Sequence, residues 1–282
     1  MSEPTVRLPS VQSNHRKRKL IFFASLAALL IVASFFSESL CPYDPYEQTL
    51  EMAKAAPSAE HWLGTDRYGR DMLSRVIAGS YTSIFSTLLL VGFITLFGSM
   101  VGILCAWTGK WVDTLLMRLS DLFLAFPGLV FALAVAAVLG GGVHNAILAL
   151  AAISWPKYAR LARSQTLVQQ SATYMQAAKM AGCSTFQLIG KHVIPNIAGP
   201  ILVTAMLDIG TMMMELAGLS FLGLGAKPPI PEWGSMMSDT RSLLATQPWI
   251  TLSPGVAIFV SVMIFNLLGD AVRDWLDPKN RR

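Results

Sequence analysis

Apolar and polar residues alternate along this 282-residue chain in long blocks, and the apolar blocks carry the first information. A membrane-spanning helix needs about 20 predominantly apolar residues. Six blocks fit or approach that length: Leu20 to Ser37, Thr82 to Thr108, Ser120 to Leu139, Asn145 to Trp155 with an extension, Gly199 to Leu224, and Ile250 to Leu268. The fourth is cut short by Pro156 and Lys157, so it either tilts or continues as a helix into water. The pattern predicts an all-α membrane protein with about six transmembrane helices. Residues 1–19 read as a tail and 20–282 as one membrane domain.

The polar interruption Lys157 to Asn196 ends in "YMQAAKMAGCSTFQLIGKHVIPN", Tyr174 to Asn196. Thr173 followed by Gln176, and Ser184 followed by Gln187, fit two capping boxes and hence two helix starts. Gly182, free of a Cβ, turns the chain between them. Pro195 is expected to stop the second helix, because the residue before a proline avoids helical geometry. Phe186, Ile189 and Val193 form an apolar face on that helix, while Ala177, Ala178 and Ala181 give the first a small-residue surface. Residues 171–196 thus read as a helical hairpin. It either lies flat on the inner leaflet or accepts a bulky knob from a partner.

Two further polar segments, Glu38 to Tyr81 and Ala226 to Trp249, fall on the other side. Within the first, Met72, Leu73, Val76 and Ile77 predict a short interfacial amphipathic helix over Asp71 to Ala78. Asp66, Arg67, Arg70, Asp71 and Arg75 crowd its approach and read as a solvated, self-paired charge cluster. Trp62, Trp233 and Trp249 read as interfacial anchors.

Composition narrows the class. With 53% hydrophobic and 14% charged residues, an ordinary soluble domain is excluded. The formal charge of +5 comes without a basic stripe interleaved with aromatics, so no nucleic-acid partner is expected. Six of the 22 Lys and Arg residues (Lys54, Arg67, Arg70, Arg75, Lys227 and Arg241) fall on one side of the predicted spans and the other sixteen on the opposite side. The positive-inside rule then places both termini in the cytoplasm. The run after Arg16-Lys17-Arg18-Lys19 lacks a cleavage pattern and reads as an uncleaved anchor. Cys41, Cys105 and Cys183 are too scattered for a disulfide framework or metal cluster.

Carboxylates inside predicted spans are costly and mark candidate sites. Asp121 and Asp270 sit near the inner boundary, where Arg118 and Arg273 can pair with them. Asp208 and Glu215 lie seven residues apart, on one face of the fifth span. With Met212 between them, they are the candidate wall of a pathway. The neighbouring methionines read as packing filler, and His15, His61, His144 and His192 all fall outside span centres, so the metal site is unknown.

Ala177-Ala178-x-x-x-Gly182, ending in Ile194-Pro195, resembles the cytoplasmic "EAA" loop of the permease subunits of bacterial ABC importers. The resemblance implies coupling helices at Gln176, Ala177, Ala178, Gly182, Ile194 and Pro195 that dock on an ATPase subunit. Gln176 stands where the family has Glu, keeping the capping role without the charge. "HWLGTDRYGRDMLSRVIAG" (His61 to Gly79), "LSFLGLG" (Leu219 to Gly225) and "EWGSM" (Glu232 to Met236) are similar to the peptide, opine and nickel importers. The implied assembly has a second homologous permease, two ATP-binding cassette subunits and an external solute-binding protein, in a bacterial inner membrane among lipids. ATP and Mg then belong to the cassette subunits, and this chain binds no cofactor. Asp66, Arg70 and Asp71 become candidate contacts for the binding protein. "LDIGTMMMELAGLSFLGLG" and "FNLLGDAVRDWLDP" look like nickel permeases, which implies nickel or a nickel chelate as cargo, with di- or oligopeptides as the alternative.

Neither Gly109-Lys110 nor Gly190-Lys191 completes a phosphate-binding loop, so ATP hydrolysis is expected elsewhere. A membrane enzyme using Asp208 and Glu215 as an acid/base pair is the competing class. A passive channel is a third, which leaves the hairpin unexplained.

Overall fold

The computed structural model describes residues 10–276; among them the fold is helices and loops, with one isolated β-bridge between Thr65 and Asp71. Residues 1–9 and 277–282, with the expected inner charges Arg7, Lys279, Arg281 and Arg282, lie outside the described residues. In chain order the helices are α1 (Ser10–Phe35), α2 (Ser37–Leu40), α3 (Met72–Thr108), α4 (Lys110–Leu124) and α5 (Gly128–Val138). They continue with α6 (Val143–Ser171), α7 (Thr173–Met180), α8 (Thr185–Leu188), α9 (Ile194–Phe221), α10 (Trp233–Thr240) and α11 (Pro248–Leu276).

Four helical runs are long and apolar enough to cross a membrane: Arg16–Phe35, α3, Thr185–Phe221 and α11. A fifth exists only if α4 and α5, bent by 93° to one another, count as one span. Of the six expected spans, four or five are thus matched on length and composition. Ser120 to Leu139 is two helices, because Pro127 leads α5 and biases Phe126 away from helical geometry. The fourth block takes its second option: α6 runs on through Pro156 and Lys157 to Ser171, and with Lys157, Arg160 and Arg163 it is too polar to count as a span. The proposed interfacial helix over Asp71 to Ala78 is the start of α3. At about 1.5 Å per residue, α3 reaches about 55 Å, well beyond a hydrocarbon core of about 30 Å. Its outer turns are held by protein: a Cβ on Gly79 would sit 3.2 Å from the Trp233 ring.

Side-chain contacts give the relative direction of the helices. Phe35, at the end of α1, packs on Phe85 near the start of α3, with ring centroids 6.2 Å apart. Lys19, near the start of α1, reaches Asp274 at the end of α11, 3.5 Å away. Gln170, at the end of α6, donates to the Ala106 carbonyl near the end of α3 (3.2 Å). The starts of α1 and α9, the ends of α3, α6 and α11, and the α7–α8 hairpin thus share one end of the bundle. The segments 41–71 and 222–247 occupy the other.

The tightest crossing joins α3 to α6. Gly98 and Gly102 are one turn apart, and a Cβ there would lie 2.5 Å from the Trp155 carbonyl oxygen and 2.2 Å from that of Ala159. Only glycine admits so close a backbone approach, the small-xxx-small device by which membrane helices gain van der Waals contact.

Candidate functional site

At the inner end, α7 starts after Ala172 with no side-chain cap, so the expected Thr173/Gln176 box is not formed. The second box is present: Ser184 Oγ accepts from the Gln187 amide (3.4 Å), and Gln187 Oε1 accepts from the Ser184 amide (2.9 Å). Gly182 has φ +82°, its N–H donates to the Lys179 carbonyl, and the Cys183 N–H donates to that of Ala178. This is a Schellman stop, and its left-handed residue favours glycine. Pro195 does not end the second helix. A π-helical turn, Ile189–Val193, joins α8 to α9, and Pro195 falls in the first turn of α9, where a missing N–H costs little.

Met175, Leu188 and Val193 anchor the hairpin inward, and Ala178 is half-buried against them. Gln176, Ala177, Gly182, Ile194 and Pro195 are exposed. Of the apolar face formed by Phe186, Ile189 and Val193, Val193 is buried while Phe186 points out at 88% exposure; Met180 on α7 is exposed at 90%. A polar loop that displays two large apolar side chains around small residues has the makings of a docking surface.

Midway along the bundle, Asp208 is buried with both oxygens engaged. Lys157 Nζ donates to Oδ1 at 2.6 Å, and the fully buried Tyr158 hydroxyl donates to Oδ2 at 2.9 Å. One turn on, Met212 Sδ accepts a weak bond from Ser154 at 3.9 Å. Glu215 is half-buried, lies within electrostatic reach of Asp208 and Lys157, and makes no hydrogen bond among the described residues. The structure thus gathers Asp208, Met212 and Glu215 along the α6–α9 seam and adds Lys157 and Tyr158. Sequence reasoning treated Lys157 only as a loop cation; its position directly after Pro156, where a helix continues, was the available signal. With its carboxylate locked by two donors, Asp208 is no free partner for acid/base chemistry with Glu215. Asp121 pairs with Arg160 of α6 rather than with Arg118.

At the outer end the charge cluster is self-paired, and all of it but the exposed Arg67 is buried, not solvated. Asp66 Oδ2 accepts from Arg70 Nε at 2.6 Å and lies 3.6 Å from Arg75 Nε, while Oδ1 accepts from the amides of Tyr68 and Arg70. Arg75 Nη1 donates to the Pro45 carbonyl at 3.0 Å. Asp71 caps α3, accepting from the Ser74 amide and hydroxyl (2.7 Å each), and meets His61 Nδ1 at 2.9 Å. Asp66, Arg70 and Asp71 therefore hold the outer surface in shape and do not themselves face outward. Arg67 reaches Asp239 across the two outer segments (3.5 Å). Trp233 is no interfacial anchor either: it is buried, and its indole donates to the Val76 carbonyl at 2.9 Å. Beside it, buried Glu232 caps α10 by accepting from the Gly234 and Ser235 amides (2.9 Å each). Burial pushes the Glu232 carboxyl above its ordinary value, partly offset by those two amides. Among the described residues no three His, Cys, Asp or Glu side chains converge as metal ligands.

Residues 98–282 match the family described as "binding-protein-dependent transport system inner membrane component". The dipeptide transport system permease protein DppC of Alkalihalophilus pseudofirmus is 38% identical over 269 residues, 94% of this chain and 87% of its own length. The glutathione transport system permease protein GsiD of Pectobacterium atrosepticum is 37% identical over 285 residues, 98% of this chain and 95% of its own. A chain from the crystal structure of an amino acid ABC transporter with histidines superposes with a TM-score of 0.51 at 18% identity. The match covers 70% of this chain and 92% of that one, a likeness of fold alone.

Proposed function

The chain belongs to the family of binding-protein-dependent transport system inner membrane components, and from that premise we propose that it forms half of the pathway of an ATP-driven importer of short peptides. Permease of an ABC importer and inner-membrane residence follow from the family; the cargo is the finer step. Dipeptide and glutathione permeases matched over nine-tenths of the chain favour peptides, and the nickel cargo implied by Leu207 to Gly225 and Phe265 to Pro278 finds no support among them. The remaining partners would be a second permease, two ATPase subunits carrying ATP and Mg, and an external binding protein. The hairpin end would face the cytoplasm, as the charge bias requires.

The observation that carries this reading is the continuity between the hairpin and the pathway helix. Thr185–Phe221 is one 37-residue helical run, so a push on Phe186 would move Asp208, Met212 and Glu215 without an intervening loop. Closure of the ATPases would tilt α9 against α6 and expose the seam to alternate sides. The outer segments, rigidified by Asp66, Arg70 and Asp71, would present the surface on which the binding protein lands.

The test is uptake by proteoliposomes holding the complete complex and its binding protein, comparing labelled dipeptide, glutathione and nickel. ATP-dependent entry of dipeptide or glutathione is expected. Entry of nickel with neither peptide would overturn the cargo assignment.

A further inference from the structure

Building on the permease reading, we infer that Lys157 and Glu215 are the two ends of a station for a short zwitterionic peptide, Lys157 taking its carboxylate and Glu215 its ammonium group. The Lys157 side chain is 54% exposed although it sits in mid-helix against a membrane span. An ammonium group there is expensive against lipid, so its open side faces water or protein. It has three N–H donors, and Asp208 is its one hydrogen-bond acceptor among the described residues. Asp208 itself has both oxygens taken, by Lys157 and Tyr158, so it holds the amine in place and is closed to a ligand. Glu215 has the opposite character: half-buried, on the same face of α9, with no hydrogen bond among the described residues.

The register of the seam fixes the spacing. Ser154 meets Met212 and Tyr158 meets Asp208, so α6 and α9 run antiparallel and Met212 lies between the two charges. Seven residues of helix separate Asp208 from Glu215 by about 10 Å. An extended peptide of two or three residues spans about 7–10 Å. Its amino end would then point toward the outer segments and its carboxyl end inward. The competing occupant is a pair of charges on the second permease subunit, which would lock Lys157 and Glu215 into an interface.

The test uses the complete complex in proteoliposomes with dialanine as cargo, reading both uptake and the ATP hydrolysis stimulated by dialanine-loaded binding protein. Glu215→Gln is expected to lower uptake per ATP about tenfold, the scale of one lost hydrogen bond to a charge, while stimulated hydrolysis persists. The pair Lys157→Gln/Asp208→Asn, which strands no buried charge, should do the same, and Lys157→Arg should keep most uptake. With Cys41, Cys105 and Cys183 replaced by Ser, Glu215→Cys should react with a cationic thiol reagent. Dialanine should slow that reaction severalfold and N-acetyl-dialanine should not. Unchanged uptake per ATP in Glu215→Gln overturns the station, as does loss of hydrolysis together with uptake, or a position 215 closed to the reagent. A wild-type complex whose hydrolysis ignores the binding protein defeats the permease reading itself, which separates the two failures.

Discussion

The outer charge cluster and the inner hairpin are both polar interruptions, yet they are built in opposite ways. Around Asp66 the charges of Arg70, Asp71 and Arg75 are buried and partnered nearby, by Asp66 itself, the Pro45 carbonyl, Ser74 and His61. The hairpin keeps its anchors Met175, Leu188 and Val193 inside and turns Phe186 and Met180 outward. Buried paired charge sets a shape, whereas exposed apolar surface awaits a partner. Charge density in the sequence thus marks residues that are buried and paired, and the large apolar residues of the polar loop are the ones left exposed.

The sharpest way to break the contrast is Asp66→Ala. Removing the shared acceptor leaves Arg70 and Arg75 buried without it, a situation that costs about 3–5 kcal/mol. The expected result is a low level of folded protein and rapid proteolysis within residues 41–71, read by limited digestion of detergent-solubilised protein. A variant as resistant as wild type would show that the cluster does not hold the segment.

Phe186→Asp makes the complementary test. At 88% exposure Phe186 has little packing to lose, so the melting temperature should barely move, within the about 0.5 kcal/mol typical of surface changes. If the ring is an anchor for the ATPase, its loss should weaken docking by about 2 kcal/mol, roughly thirtyfold, and lower uptake in step. Co-purification of the ATPase subunit with the variant at wild-type yield would contradict the docking role.

What the sequence made legible was mostly local. Ser184/Gln187 and the Gly182 turn involve neighbours in the chain, and both are present as read. Pro195 was misjudged because its local bias is real but its position in the first turn of α9, after a π-helical turn, makes it harmless. The Asp71 to Ala78 stretch was misjudged for a similar reason: nothing local ends the helix, and Trp233, more than 150 residues away, covers it. Asp208 was recognised as a costly carboxylate, while its partners on α6, some 50 residues earlier, carried no local mark. Gly98-x-x-x-Gly102 was a readable signal for the α3–α6 crossing and went unused.

The smallest expected effect refines the outer half of the comparison. Glu232 is as buried as Asp66 but has no cation beside it among the described residues; amides and the Ser83 hydroxyl supply its partners. Burial raises its carboxyl above the ordinary glutamate value of about 4.3. A carboxyl that holds its proton more tightly folded than unfolded stabilises the fold below the unfolded value. That stabilisation is lost as pH rises through the folded value. The wild-type melting temperature should therefore drift down as pH climbs from the ordinary glutamate value toward neutrality. Glu232→Gln keeps an acceptor for the Gly234 amide and removes the titration, so its melting curve should be flatter over the same window. An identical slope in the variant would mean that a different group titrates there, and that burial does not set the proton affinity of Glu232 at the cap of α10.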